Sequence, residues 1–241
     1  MREWCEYFNN TYTKNEIYTF CYHNHKKIRR LSDEEKSIQQ SLNARKYHIN
    51  QDYFKTWSRN MAYIFGLWCA DGCIYGDKMF DITLHTKDKY ILKRIAEELE
   101  YEGNLYDGVD RQASRINFSC VVIYKDIIAL GGTETKSKTL KFPSVPKEFL
   151  PDFIRGYFDG DGCIMRLKNN RLNSAFTSGS KDFLDALFQI LKEEAGVNGG
   201  SYDPSCMSLK FGKRDTLKIG SYMYQNDPEL FLMRKRNKFD I

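Results

Sequence analysis

Apolar residues recur at Tyr90, Ile91, Ile95 and Leu99 within residues 87–101, and at Phe183, Leu184, Leu187 and Leu191 within residues 181–195. Spacing by three or four places each set on one face of a 3.6-residue period, so both segments are predicted amphipathic helices. Residues 61–70 and 150–160 carry longer apolar runs and are predicted helices that stop at the glycines behind them. Residues 72–86 and 162–178 read as hairpins, turning at YGDK (75–78) and KNNR (168–171). Residues 104–123 and 200–219 supply further short strands. The pattern therefore predicts helix, two strands, helix, two strands and a closing helix, twice over.

The two halves also match residue by residue. MAYIFGLWCADGCI (61–74) aligns with PDFIRGYFDGDGCI (151–164), sharing Ile64/Ile154, Gly66/Gly156, Asp71/Asp161 and the Gly-Cys-Ile that follows. FDITLHTKDKYILKRIAEELEYEG (80–103) aligns with SAFTSGSKDFLDALFQILKEEAGVNG (174–199), and IYKDIIALGGTETKSKTL (123–140) with MYQNDPELFLMRKRNKF (223–239). Three colinear matches define an internal repeat. The expected fold is α/β (α+β): two tandem αββαββα repeats, 59–149 and 150–241, forming a pseudo-dimer behind a small helical extension, 1–58. In that extension TKNEIYTFCYHNH and SDEEKSIQQSLNARKY read as helices, the second with a capping box at Ser32 and Glu35.

Composition narrows the classes. No apolar run approaches the roughly 18 residues of a membrane span, and the mixed polar start does not resemble a signal peptide. A soluble intracellular protein of the cytoplasm or an organellar matrix is expected, without a membrane partner. Seven cysteines lacking paired CxxC spacing argue against a disulfide frame or zinc ribbon. Cys21, His23 and His25 form the nearest metal-like cluster, without a second half at zinc-finger spacing. A net charge of +5 is only mildly basic, but the basic runs HKKIRR (25–30) and MRKRNK (233–238) concentrate it.

Gly66 and Ala70 lie four apart, as do Gly156 and Gly160, so each pair falls on one helical face where small residues permit close backbone approach. If the two helices pair across a pseudo-twofold axis, Asp71 and Asp161 meet at their C-terminal ends. Carboxylates are unfavourable at the negative end of a helix dipole, and two together are worse, unless a cation binds between them. Hard Mg2+ suits such ligands, and metals so placed can promote phosphodiester hydrolysis.

IFGLWCADG (64–72) and IRGYFDGDG (154–162) resemble the nine-residue motif of the LAGLIDADG homing endonucleases in their single-chain, two-motif form, over roughly residues 50–241. The resemblance implies that Asp71 and Asp161 bind catalytic divalent metal, two or three Mg2+ shared between the repeats, helped by the carbonyls of Ala70 and Gly160. It also implies one basic residue per repeat near the scissile phosphate, mapped onto Lys136, with Lys138 as its rival, and onto Lys235. Trp68 and Cys69 depart from the usual motif, whereas the second copy keeps Asp159.

In such a fold two sheets form a saddle over the DNA major groove. The first sheet's candidate readers are Lys78, Asp81, Thr83, His85, Arg111, Arg115 and Asn117. The second sheet's are Arg166, Lys168, Arg171, Asn173, Ser174, Thr177, Lys210, Lys213 and Arg214; Arg and Lys suit guanine edges and Asn adenine. The extension 1–58 is a further DNA-contacting candidate. The expected activity is site-specific double-strand cleavage by a monomer at a long, asymmetric DNA site. The alternatives on this scaffold are an intron RNA maturase and a non-cleaving DNA-binding regulator. The ends, Met1-Arg2 and Asp240-Ile241, carry no intein splicing residues, so a free-standing enzyme encoded in an intron or between genes is expected.

Overall fold

Two glycine-bearing helices form the axis of the structure, a computed structural model that describes residues 32, 47–108, 112–167 and 171–239. The chain divides into compact units Met1–Gln40 and Ser41–Ile241, and the fold below is that of the second. The helices predicted within residues 1–46, the Cys21/His23/His25 cluster, Arg111 and Lys168 lie outside the described residues.

Helix α1 (Arg59–Asp71) opens on Ser58, whose hydroxyl accepts from the Met61 amide at 3.1 Å. Helix α5 (Leu150–Asp161) carries Pro151 and Asp152 in its first turn, where an absent amide and a negative charge are both favourable. They end alike, the Gly72 amide donating to the Trp68 carbonyl and the Gly162 amide to that of Phe158, and each chain enters a strand directly. A Cβ built on Gly66 would lie 2.0 Å from the Phe153 carbonyl oxygen, and one on Gly156 would lie 2.0 Å from that of Tyr63. The helices therefore touch backbone to backbone, each glycine receiving the partner helix one turn from the partner's own glycine.

Strands β1 (Gly72–Tyr75), β2 (Met79–His85), β3 (Tyr106–Asp107) and β4 (Ala113–Ser119) form an antiparallel sheet in the order β1-β2-β4-β3. Strands β5 (Gly162–Leu167), β6 (Arg171–Thr177), β7 (Ser201–Asp203) and β8 (Ser208–Phe211) repeat it as β5-β6-β8-β7. The predicted amphipathic helices appear as α2 (Lys89–Glu98) and α6 (Lys181–Ala195). Their apolar faces, Ile91, Leu92 and Ile95, then Phe183, Leu184, Leu187 and Leu191, are buried in the core with the inner faces of the sheets. The core also takes in Ile49 and Phe54, so the segment before α1 belongs to this unit. No described helix is long and apolar enough to cross a membrane.

Two sequence expectations need correction. Residues 104–123 and 200–219 are strand only in part: the chain turns helical at α3 (Val121–Ala129) and α7 (Lys213–Met223). Cys120 caps α3, its Sγ receiving the Ile123 amide, and Gly212 breaks the strand before α7. The third internal match also misaligns these elements. Each follows the last strand of its repeat, so α3 corresponds to α7, and not to residues from 223 onward. The match does hold for the tails, which carry the short helices α4 (Lys136–Thr139) and α8 (Met233–Arg236).

Candidate active site

The pairing of α1 with α5 sets the two motif carboxylates side by side. A Cβ on Gly160 would lie 2.9 Å from Asp71 Oδ2 and 2.3 Å from Ala70 Cβ, so the Asp71 carboxylate reaches over the end of the opposite helix. Asp71 keeps an exposed edge and Asp161 is half-buried. Loss of solvent, and then the nearby charge of Asp161, push the Asp71 carboxyl up to about 6. Burial also raises Asp161, against the pull of Lys136 and Lys235.

Both expected lysines turn inward onto the helix ends. Lys136 Nζ donates to the carbonyls of Cys69 (2.8 Å) and Ala70 (2.7 Å). Lys235 Nζ donates to those of Phe158 (2.7 Å), Asp159 (2.7 Å), Gly160 (3.2 Å) and Gly162 (2.6 Å). Of these, the Cys69, Ala70, Asp159 and Gly160 carbonyls lie in the last turns, among those a helix leaves unsatisfied at its C-terminus, where cations are favoured. Burial pushes the Lys235 ammonium down to about 8, opposed by Asp159, and lowers Lys136 as well. Lys138, the rival of Lys136, is exposed on α4.

Asp159 is buried between the repeats. Its Oδ2 accepts from the Tyr63 hydroxyl of α1 at 2.8 Å and from the Leu232 amide at 2.7 Å, while Oδ1 has no partner among the described residues. Burial raises this carboxyl to about 6, with Lys235 the main opposing influence. Beside it Arg155, fully buried, donates to the carbonyls of Leu230 and Met223, both at 2.8 Å, and to Asp152 at 2.7 Å. Sequence reading passed over this network. Its signal was a charged residue inside an apolar helix, with an acid three positions earlier on the same face.

The donor set fits a hard divalent cation in part. Two carboxylates of raised affinity for protons would gain from a cation between them, and carboxylate oxygen is the ligand type such a cation favours. The Ala70 and Gly160 carbonyls, expected as further ligands, are the ones Lys136 and Lys235 engage. Among the described residues no cluster of three or more His, Cys, Asp and Glu could hold a metal, so carboxylate ligation there rests on Asp71 and Asp161.

The candidate readers divide by strand phase. In the first sheet Cys73, Asp81 and Asn117 lie in register, as do Thr83, Arg115 and Tyr106. Thr83, His85, Arg115 and Asn117 thus share the face opposite buried Phe80, Ile82 and Ile116. Asp81 takes the same phase but is 6% exposed, its carboxylate accepting from Thr83 Oγ1 and Asn117 Nδ2, each at 2.8 Å. Lys78 stands in the exposed hairpin turn. In the second sheet Arg171, Asn173, Thr177 and Lys210 share the outer face, and Lys210 is held by Asp203 at 2.6 Å.

In the second repeat four expected readers, Arg166, Ser174, Lys213 and Arg214, do not lie on the sheet's outer face. Arg166 pairs with Leu172, one residue out of phase with Asn173, and its Nη2 donates to the Lys238 carbonyl at 3.0 Å. Ser174 faces inward and shares a 2.9 Å hydrogen bond with Thr216. Lys213 and Arg214 stand in the first turn of α7, exposed but off the sheet.

Residues 148–203 match a family model described as a LAGLIDADG-like domain. A DNA-directed RNA polymerase subunit Rpo1C of Methanocaldococcus jannaschii is 29% identical over 138 residues, covering 55% of this chain and 15% of that protein. A probable translation initiation factor IF-2 of the same organism is 40% identical over 63 residues, covering 24% of this chain and 5% of that protein. The chain thus spans a small part of either curated relative's length. Among solved structures, homing endonuclease I-WcaI bound to its DNA recognition sequence superposes with a TM-score of 0.53 at 16% identity, over 78% of this chain and 91% of that one. The I-LtrWI LAGLIDADG homing endonuclease bound to target DNA gives 0.51 at 14% identity, over 79% and 88%. The chain has the fold of these proteins, with two four-stranded antiparallel sheets about a pseudo-twofold pair of helices.

Proposed function

We propose that this chain is a LAGLIDADG-type, site-specific DNA endonuclease that hydrolyses phosphodiester bonds with divalent metal at Asp71 and Asp161. The observation that carries the reading is the convergence of those carboxylates with Lys136 and Lys235 at the joined ends of α1 and α5. Neither the carboxylate pair nor the buried lysines serve the core, where apolar residues would pack at lower cost. The match of the second motif region to the family, and the DNA-bound neighbours of the same fold, support the same activity and a double-stranded DNA partner.

In this reading the two sheets lie in the major groove, one on each half of a long asymmetric site, through Thr83, His85, Arg115 and Asn117 and through Arg171, Asn173 and Lys210. Asp71 and Asp161 would hold Mg2+, which supplies charge stabilisation at the phosphate. Lys136 and Lys235 place one ammonium at each helix end, where a compact cation offsets charge gathering on the phosphate oxygens. A single chain already contains both halves, so it acts as a monomer.

Incubating the protein and Mg2+ with a plasmid library of randomised sites tests this. Cleavage of one long site by the wild type, spared by Asp71→Asn and by Asp161→Asn, is the expected result. Tight binding to one DNA without cutting would place the chain with the non-cleaving regulators, and tight binding to an intron RNA with the maturases.

A further inference from the structure

Lys235 belongs by sequence to the second repeat, but the segment leading to it is fixed largely by the first. Asp88, in the turn before α2, is 2% exposed, and both its oxygens accept from Arg234: Nε to Oδ1 at 3.0 Å and Nη2 to Oδ2 at 2.7 Å. Tyr90, on the first turn of α2, donates its hydroxyl proton to the Phe231 carbonyl at 3.1 Å and accepts from the Met233 amide at 2.7 Å. The Leu232 amide between them donates to Asp159, itself held by Tyr63 of the first repeat. Four consecutive residues, Phe231 to Arg234, are thus each pinned by a side chain immediately before Lys235. The Arg234 charge is also felt at Asp71 and at Lys235, so this clamp lies beside the reacting groups.

The other tail crosses over too, but is held differently. A Cβ on Gly179 would lie 2.0 Å from the Ser137 carbonyl oxygen, so the tail bearing Lys136 rests on the backbone of the second repeat. At the position matching Arg234 it has Thr135, and the counterpart of Asp88 is Asp182, which is exposed. The ionic clamp is one-sided.

We propose that Asp88 and Tyr90 are positioning residues for Lys235, so that the first repeat sets the half of the active site whose lysine the second repeat supplies. The catalytic consequence rests on the nuclease reading above; the positioning itself does not. A misplacement of the order of 1 Å at a reacting group costs up to about a hundredfold in rate. Disturbing the clamp should therefore slow the strand attended by Lys235 and spare the strand attended by Lys136.

Two measurements test this on Asp88→Asn and on Tyr90→Phe, which removes a single hydroxyl and keeps the ring. First, in protein labelled with 13C at lysine Cε, the Lys235 signal is assigned by its loss in Lys235→Met. It should move toward the exposed lysines in both variants while the Lys136 signal stays; a Lys235 signal unmoved in both overturns the proposal. Second, on a supercoiled target plasmid the wild type should give linear DNA, whereas the variants accumulate nicked circles, with one strand slowed at least about tenfold and the other within about twofold. Equal slowing of both strands, as from simple destabilisation, or a wild-type rate on both, overturns it. A wild type that cuts no DNA would instead defeat the nuclease reading, leaving the lysine spectra to decide the positioning.

Discussion

The contact between α1 and α5 permits a quantitative test at Gly156. An alanine there would place its Cβ 2.0 Å from the Tyr63 carbonyl oxygen and 2.9 Å from the Leu67 amide nitrogen. Both atoms are helix backbone and cannot rotate aside, so the helices must part by about 1.4 Å to bring the 2.0 Å approach to an ordinary 3.4 Å contact. A gap of only about 0.5–1 Å already forfeits a quarter to a half of the dispersion energy of each atom pair it separates. The interface it would open includes Phe65, Phe153 and Tyr157, all buried. The expected cost is about 3 kcal/mol, the upper end for overpacking, which for a domain of this size lowers Tm by about 6–12 °C. Gly66→Ala meets the Phe153 carbonyl oxygen at the same 2.0 Å and should cost the same. Because both alanines force one separation, the double variant should lose clearly less than the sum. Gly76→Ala is the control: its φ is +58° with nothing within 4 Å, so only backbone strain of about 1 kcal/mol applies. Urea and thermal unfolding of the four variants would decide. If Gly156→Ala costs no more than Gly76→Ala, or the double variant is additive, the backbone-contact reasoning is wrong.

Three further outcomes are expected. The Asp159 carboxyl stands near 6 against an ordinary 3.8, so the folded state holds its proton more tightly than the unfolded state does, and stability falls as pH rises through that window. Asp159→Asn removes the effect, and its stability relative to wild type should rise by about 2 kcal/mol between pH 4 and pH 7 in urea titrations; a constant difference would refute the assignment. The same sign applies to Asp71: in EDTA at pH 8 Asp71→Asn should melt above wild type, and the gap should close near pH 4. A wild type that melts higher at pH 8 without metal would mean that the carboxylate pair is not in conflict. Asp152→Ala leaves the buried Arg155 guanidinium without its carboxylate and should cost about 3–5 kcal/mol in urea unfolding, with Arg155→Met recovering part of it in the double variant; a cost under 1 kcal/mol would show that the carbonyls alone satisfy Arg155.

The order of elements was legible because each repeat keeps its periodicity, and because Gly66, Gly156 and the motif aspartates have no better use than a close helix pair. Lys136 and its rival Lys138 were mapped only from the basic residue that the family resemblance implies in the tail; that Lys136, and not Lys138, turns onto the end of α1 is visible only in the structure. Strand phase was not legible in the second hairpin. A one-residue difference in turn length exchanges the faces, and Lys168–Asn170 gives no sign of which residues pair across it. Arg166 was accordingly grouped with Arg171 and Asn173, although pairing with Leu172 puts it on the other side. Lys213 and Arg214 were taken for strand because β8, Ser-Leu-Lys-Phe before Gly212, is only four residues long, too short a pattern to show its own end. The contact between Asp88 and Arg234 spans 146 positions and leaves no local pattern at all.

The two halves of the site are alike where chemistry would act and unlike where support is given. Asp71 and Asp161 correspond, as do Lys136 and Lys235, and each lysine engages carbonyls at the end of its own repeat's helix. Around them, Cys69 corresponds to Asp159, Phe65 to Arg155, Ala62 to Asp152 and Thr135 to Arg234. Lys136 is thus backed by apolar residues, with the Trp68 ring 5.6 Å from its Nζ, whereas Lys235 lies within the influence of buried Asp159 and directly follows Arg234, which pairs with Asp88 of the first repeat. Apolar backing needs only shape, and tolerates drift in its neighbours. A buried network needs every partner, since losing one strands another's charge. The second lysine is therefore the more exactingly placed of the two, and on the proposed nuclease reading substitutions that spare the first would uncouple the cutting of the two DNA strands.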